Sequence, residues 1–409
     1  MPAVPQTVAG PGSKPPAHIE YRLGAMVLKR DYGWCENCAR YWHPADNALG
    51  IETQAPASPR VQEIAALISI RDPYGQGAKD IERLTGVCLS ASALHREAQR
   101  QGQRALQLRE RDIGLLNSPE GLAQLSAESG AAQLQPFTLV IEIDAWNIRE
   151  RDQWGQSRKL RRKGQEPQRW HWVYTGTVFR LDQRGQTDGA RSVVSQRGYV
   201  ATRQGLESFT QQLYVEAIRR GLFQAQQVLV IADGAVWIWN LATDRFKDAK
   251  QRIDLFHVKQ HLYQLAYSIY GEGTEEAKQW LKPLLKHLEQ HRDGSLEVLS
   301  ALEGLRQKLK TMSPFQQEAL DREIGYFRTH QHRMDYKQAK ACGEPLGSGA
   351  VESTASQYQT RFKRTGQFWT FEGDEALLAL VTLYRNQRWH LLFPHSIRAS
   401  DTVSESTAK

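Results

Sequence analysis

Three carboxylates stand out by their settings. Asp144 closes the apolar run LVIEIDAW and Asp233 closes VLVIADG. Glu352 follows the glycine turn of CGEPLGSGAVESTASQYQTRFKRTGQFW, at the start of a basic helix. An aspartate in a hydrophobic strand costs several kcal/mol of desolvation unless it is partnered. The usual resolutions are a salt bridge, a turn position or a cation. Gly234 offers Asp233 the turn reading, because Asp-Gly is a turn signal. Asp144 precedes Ala-Trp and has no turn residue near it. Glu352 also has a plain reading, since acids in a first helical turn gain up to about 1 kcal/mol from the macrodipole. Two strand ends and a helix N-terminus can nevertheless bring three carboxylates to one point. That arrangement suits two hard divalent cations, Mg²⁺ or Mn²⁺. Ions about 4 Å apart activate an attacking hydroxyl and stabilise a leaving oxygen in phosphoryl transfer.

Cations accompany these acids. Between Ser157 and Trp172 lie Arg158, Lys159, Arg161, Arg162, Lys163 and Arg169, followed by Trp170 and Trp172. A solvated hairpin tip would account for them. Beside a phosphate-cutting site, binding of a nucleic-acid backbone is the better account. Arg361, Lys363 and Arg364 sit on the helix of Glu352 and would hold phosphates there. Phe368 or Trp369 could stack on an unpaired base or pack into a core.

The chain has 409 residues, enough for two or three domains, with 40% hydrophobic and 24% charged residues. Lys plus Arg number 53 against 45 acids, a net charge of +8 that points to a polyanionic partner. Four cysteines are too few for a disulfide framework. No apolar run approaches the roughly eighteen residues of a membrane span. The Pro/Gly-rich N-terminus lacks a hydrophobic signal core, so a cytoplasmic protein without membrane association is expected.

The elements that must position these residues follow in order. Residues 1–18 read as a disordered arm, and 19–58 as short strands carrying Cys35-x2-Cys38. From 59 to 130 the pattern is helical. Within it, Ile81 and Leu84 mark a helix stopping at Gly86, and Ser90 or Ser92 caps a second one holding Leu94. Such a pair is a helix-turn-helix with Ser92, His95, Arg96 and Arg100 facing DNA, or an ordinary helical hairpin. Residues 131–272 read β-β-β-α-β-(β)α, a mixed sheet. Residues 273–341 are a helical insertion rich in leucine. Residues 342–395 return through the glycine turn to the Glu352 helix, and 396–409 form a polar, disordered tail.

VIEIDAW, then VIADGAVW with RIDLFHVKQHL, then GSGAVESTASQYQTRFKRTGQFW together resemble the DDE transposases of bacterial insertion sequences, specifically the ISKra/ISLre-type group. The resemblance covers roughly residues 30 to 390. It implies an α/β, ribonuclease-H-like mixed sheet with a helical insertion between the second Asp and the Glu. Asp144, Asp233 and Glu352 would then be the catalytic, Mg²⁺-binding acids. The implied function is metal-dependent cleavage of transposon ends in double-stranded DNA and strand transfer to a target. A homodimer or larger assembly is implied for the synaptic complex. Asp254-x2-His257 resembles an auxiliary motif near such sites, although His257 and His261 could instead pair on zinc or simply be packed. Relatives often carry two Cys-x2-Cys pairs as a zinc ribbon. This chain has only Cys35 and Cys38 as candidate zinc ligands, with His43 or His18 irregularly spaced to complete four. Two alternatives remain: a nuclease that cleaves without strand transfer, and a non-catalytic DNA-binding protein derived from a transposase.

Overall fold

The computed structural model describes residues 57–394, apart from 130–135, 152, 154, 187–191, 195 and 309–311, together with short strands between residues 12 and 42. The chain divides into two compact units. One comprises residues 1–108 with 370–409, the other Arg109–Trp369.

In the first unit, short strands β1 (Gly12–Ser13), β4 (Asp31–Cys35) and β5 (Arg40–Trp42) form one sheet, and β2 (Ala17–Tyr21) pairs with β3 (Gly24–Leu28). Strands thus begin inside the stretch read as an arm. Cys38 and the Cys35 side chain lie outside the described residues, as do His18's side chain, His43 and the tail over 396–409. Helices α1 (Pro59–Ser69), α2 (Tyr74–Thr85) and α3 (Ala91–Gly114) follow. Val61, Ala65, Ile81, Val87 and Leu94 form their shared core. Helix α2 ends at Gly86, whose φ of +73° is the left-handed geometry that stops helices. Ser90 Oγ accepts the Ala93 N–H at 3.1 Å and opens α3. Leu84 departs from expectation: it is 77% exposed, because the α2 stripe that meets α1 and α3 runs through Gly77 and Ile81.

The second unit begins within α3 and continues through α4 (Pro119–Ala127). Its five-stranded sheet has the order β10-β7-β6-β11-β12. Strand β6 (Thr138–Arg149) pairs antiparallel with β7 (Trp170–Arg180), and β7 pairs antiparallel with β10 (Arg197–Thr202). On the other side β6 runs parallel to β11 (Gln227–Ala232), which runs parallel to β12 (Lys250–Ile253). Short strands β8 (Arg184–Gln186) and β9 (Ser192–Val194) pair separately, and helix α5 (Ser157–Arg162) lies between β6 and β7. The architecture is a mixed α/β one with an open mixed sheet and mostly helical content. Val140, Ile141 and Ile143 of β6 and Leu229 to Ala232 of β11 are buried, as strands covered on both faces require. Helix α6 (Leu206–Arg219) packs Phe209, Leu213 and Ala217 on the sheet. Helix α7 (Val236–Arg245) is not legible in the sequence; its AVWIWN start is made of strand formers.

After α8 (Leu255–Tyr270) the insertion supplies α9 (Glu275–Gln290), α10 (Gly294–Lys308), α11 (Pro314–His330) and α12 (Tyr336–Ala341). Leu281, Leu284 and Leu288 of α9, Val298 and Leu302 of α10, and Ile324 and Phe327 of α11 share one continuous core with the sheet. Helix α13 (Gly349–Phe362) then carries Glu352.

The span 342–395, expected to close the sheet domain throughout, divides at Trp369. Helix α14 (Phe371–Arg385) belongs with α1–α3 because its small and apolar face packs there. Gln99 donates to the Gly373 carbonyl at 3.2 Å and Trp389 to Glu63 at 3.2 Å. Gly102 is the closest approach, since a Cβ there would stand 2.5 Å from the Ala376 carbonyl oxygen. Backbone cannot yield as a side-chain tip does, so we expect Gly102→Ala to destabilise the first unit by about 1–3 kcal/mol, the usual range for overpacking. Urea unfolding checks this; a midpoint unchanged from the parent would show that α3 and α14 do not meet there.

Candidate active site

Strand register builds the site. The parallel pairing of β6 and β11 matches Ile231 with Glu142, and continuing it by two residues sets Asp233 level with Asp144. The pairing of β11 with β12 matches Ala232 with Ile253, so Asp254 falls on the same level one strand further. Neighbouring strands lie about 4.8 Å apart, so three aspartates stand in a row across three adjacent strands. Asp233 and Asp254 directly follow β11 and β12, whereas Asp144, expected at a strand end, lies inside β6, whose pairing with β7 runs on to Arg149.

Helix α13 brings the fourth acid, and two buried carboxylates hold its first turn. Asp254 Oδ2 accepts from Ser348 Oγ at 2.6 Å and also from the Ser348 N–H. Its Oδ1 accepts the Phe256 and His257 N–H groups and so caps α8. From β6, Glu142 Oε2 accepts the Val351 N–H at 2.8 Å. Ser348 makes no cap of its own on α13, so Glu142 takes that role from the sheet. Ser348 Oγ also lies 3.3 Å from Glu352 Oε1, and His257 Nε2 stands 3.9 Å from the same oxygen.

The electrostatics link the acids. Burial pushes the Asp144 pKa up, the Ala145 N–H opposes this, the Asp233 and Glu352 charges push it further up, and His257 pulls it down. Each of the three acids uses one oxygen locally. Asp144 Oδ1 accepts from Ala145 at 2.7 Å, Asp233 Oδ1 from Ala235 at 3.0 Å, and Glu352 Oε1 faces Ser348. Among the described residues their second oxygens make no hydrogen bond. The turn reading of Asp233 is therefore correct as far as it goes, and leaves one oxygen available. The donor oxygens of Asp144, Asp233 and Glu352 are not all within 4.8 Å of one another.

Several functional neighbours are not visible in the sequence. Glu142 reads as one more member of an apolar strand, yet it is fully buried, and desolvation raises its pKa to about 8. Tyr326 of the insertion reaches the site from α11. A Cβ on Gly234 would lie 3.4 Å from its hydroxyl, and that buried hydroxyl has no partner among the described residues. Burial first, then the Asp233 charge, raise its pKa. His261 stacks on Tyr326 with 4.1 Å between centroids and bonds Glu323 at 2.7 Å. Its Nδ1 is thus engaged by the insertion, the packed arrangement expected as one alternative for it. Asp254 joins the starts of α8 and α13 through its hydrogen bonds.

The cationic candidates divide. Arg158, Lys159, Arg161, Arg162, Lys163 and Arg169 are all exposed around α5, with Arg161 3.4 Å from Glu166. Trp170 and Trp172 are exposed beside them, and Arg149, Arg151 and Arg169 line a cleft of about 260 Å³. Lys363 and Arg364, expected on the helix of Glu352, lie just past the C-terminus of α13 and are exposed, Lys363 resting over the Trp146 ring. Arg361 needs correction: it is 3% exposed with its guanidinium 5.1 Å over Trp369, so it is an interior residue and not a DNA contact. Its position shares the inward face of Val351, Thr354, Tyr358 and Phe362. Trp369 is likewise core, donating to the Phe362 carbonyl at 2.9 Å. In the first unit His95 and Arg96 are exposed, His95 edge-on to Tyr74, whereas Arg100 is paired with Glu97 at 2.8 Å.

No protein-family model matches the chain, and no curated protein matches it in sequence. Among the described residues no helix is long and apolar enough to cross a membrane.

A carboxyl whose folded pKa lies near 8 binds a proton that the unfolded chain, near 4.5, has released. Stability in EDTA should therefore fall as pH rises through this interval, by at most about 1.4 kcal/mol per pH unit. His330, lowered to about 4, gives the opposite slope only below its ordinary 6.5. Between pH 6.5 and 8 we expect Glu142→Gln to flatten the decline measured by urea unfolding. A slope identical to the parent's would remove Glu142 as its source.

Proposed function

We propose that the chain is a DDE-type transposase of a bacterial insertion sequence, cutting element ends and joining them to target DNA at Asp144, Asp233 and Glu352. The observation that carries this reading is that Asp144 feels the charges of Asp233 and Glu352, three acids from the interior of one strand, the end of its neighbour and a helix N-terminus. A mixed sheet, with acids on its first and fourth strands and a third acid after a helical insertion, is the ribonuclease-H-like arrangement that the family resemblance implies.

The site suits divalent cations. A partly buried Asp144 with two like charges beside it favours a cation over a second carboxylate. The three second oxygens are hard donors of the kind Mg²⁺ takes. Two ions about 4 Å apart are the usual arrangement for phosphoryl transfer at such carboxylates. Asp144, Asp233 and Glu352 would hold them, and they would supply activation of the attacking hydroxyl and stabilisation of the leaving oxygen. The chain's own residues orient the DNA. Lys363 and Arg364 place cations just past the C-terminus of the Glu352 helix, and the α5 cluster offers exposed charge for phosphates. Ser348 and His257 fix the Glu352 carboxylate, and Tyr326 walls the Asp233 side. The exposed faces of α2 and α3, with His95 and Arg96, are the proposed end-recognition element.

The test uses a duplex carrying the two DNA ends that flank the chain's own coding sequence, with Mg²⁺ or Mn²⁺. Cleavage followed by joining is expected, and Asp144→Asn should reduce it at least about 10³-fold, as groups that act as a unit fail together. Cleavage without joined products would instead mark a nuclease. Binding with no cleavage would leave a transposase-derived DNA-binding protein. Undiminished cleavage by the Asn variant would take Asp144 out of the chemistry.

Replacing Arg158, Lys159, Arg161 and Arg162 with alanine should reduce the slope of log affinity against log salt by up to about 3.6, at about 0.9 for each phosphate no longer neutralised. Fluorescence anisotropy across salt concentrations measures it, and an unaltered slope would place the DNA elsewhere.

A further inference from the structure

We infer that the insertion carries a second and separate metal site, in which His287, His291 and Glu297 bind a transition-metal cation of the Zn²⁺ class. One donor atom from each lies within 4.8 Å of the other two. His287 lies in the last turn of α9, and His291, four positions on, is the residue that caps its C-terminus, its N–H bonded to the His287 carbonyl. Their rings stack with centroids 4.6 Å apart at 14°. Both present Nδ1 to one carboxylate of α10: His287 Nδ1 stands 2.7 Å from Glu297 Oε2, and His291 Nδ1 stands 2.8 Å from the same oxygen.

Three donors thus converge on one point from two helices. A tetrahedral Zn²⁺ holding nitrogen and oxygen at about 2.0–2.2 Å separates its donors by about 3.3 Å. The donors need to spread by only a few tenths of an ångström, within the reach of side chains that are 38–41% exposed. The backbone beneath them is firm. Leu288 and Val298, each beside a ligand, are buried in the core. At the turn a Cβ on Gly294 would stand 2.1 Å from the His287 carbonyl oxygen, so the start of α10 is pressed on the last turn of α9. Two imidazoles and one carboxylate select Zn²⁺ over Mg²⁺, and partial exposure leaves the fourth position to water. Bound there, the ion would clamp the α9–α10 turn. The site stands whether or not the chain cleaves DNA.

The full-length protein, stripped with EDTA, is titrated with Zn²⁺ by calorimetry and with Co²⁺ by visible absorption. One Zn²⁺ equivalent is expected to weaken by more than ~10-fold in both His287→Ala/His291→Ala and Glu297→Gln, since removing even an outer partner of a ligand has that effect. The same equivalent should persist in Cys35→Ser/Cys38→Ser and in Asp144→Asn. Its cobalt spectrum should lack thiolate charge transfer. A parent that binds no Zn²⁺, or binding unchanged in a folded Glu297→Gln or double histidine variant, would reduce the cluster to an ion pair and overturn the inference.

Discussion

The first turn of α13 is the constraint on which the site depends. It must aim Glu352 at a place already occupied by two like charges, and nothing in its own sequence caps it. Two carboxylates from the sheet supply the anchorage, Glu142 on the Val351 N–H and Asp254 on Ser348. Both are buried, and each satisfies backbone or hydroxyl donors that would otherwise be unpartnered at a helix start. The repulsion that raises the Asp144 pKa is thus opposed by hydrogen bonds between strands and helix. The acids cannot relax by swinging the helix away, and a bound cation offers them the remaining relief.

The row of acids across the strands explains why part of this site is legible in the sequence. Asp144 and Asp233 interrupt apolar runs, and an acid in such a run is conspicuous because its burial is costly. Glu352 is marked by the glycine turn before it. Glu142 escapes notice although it lies only two positions before Asp144. It blends with the strand formers around it, and nothing local shows that its partner is a helix N-terminus some two hundred residues later. Tyr326 is hidden for the same reason, since its role depends on where α11 is laid against the Asp233 turn. Leu84 and Arg361 show the complementary error. Residue type suggests a core leucine and a DNA-facing arginine, but helical phase turns the leucine out and the arginine in. The fold-level reading, a mixed sheet interrupted by helices, needs only period and order. The reassignment of α14 to the α1–α3 unit needs tertiary packing such as Gly102 on Ala376.

The insertion is more than a spacer between the second and third acids. Its leucines join the sheet core, and that shared core lets α11 hold Tyr326, Glu323 and the His261 stack against the α8 side of the site. A wall built this way is rigid because moving it would expose Phe327 and Ile324, both buried. The exposed cations, by contrast, sit on α5 and just past the end of α13, where on the proposed reading their side chains would adapt to a long polyanion. Rigid acids and adaptable cations are the division of labour that in-line phosphoryl transfer asks for.

Donor chemistry also keeps the two metal sites apart. The three acids offer only carboxylate oxygens, which suit Mg²⁺ or Mn²⁺ and would hold them with several waters retained. The helix pair offers two imidazole nitrogens and one carboxylate, which favour Zn²⁺ even when Mg²⁺ is abundant. Loading the insertion would therefore not compete with loading the acids. Since α9, α10 and α11 share one core, an ion that stiffens the α9–α10 turn would act on the site only through the packing that holds α11, and so on Tyr326 before any acid.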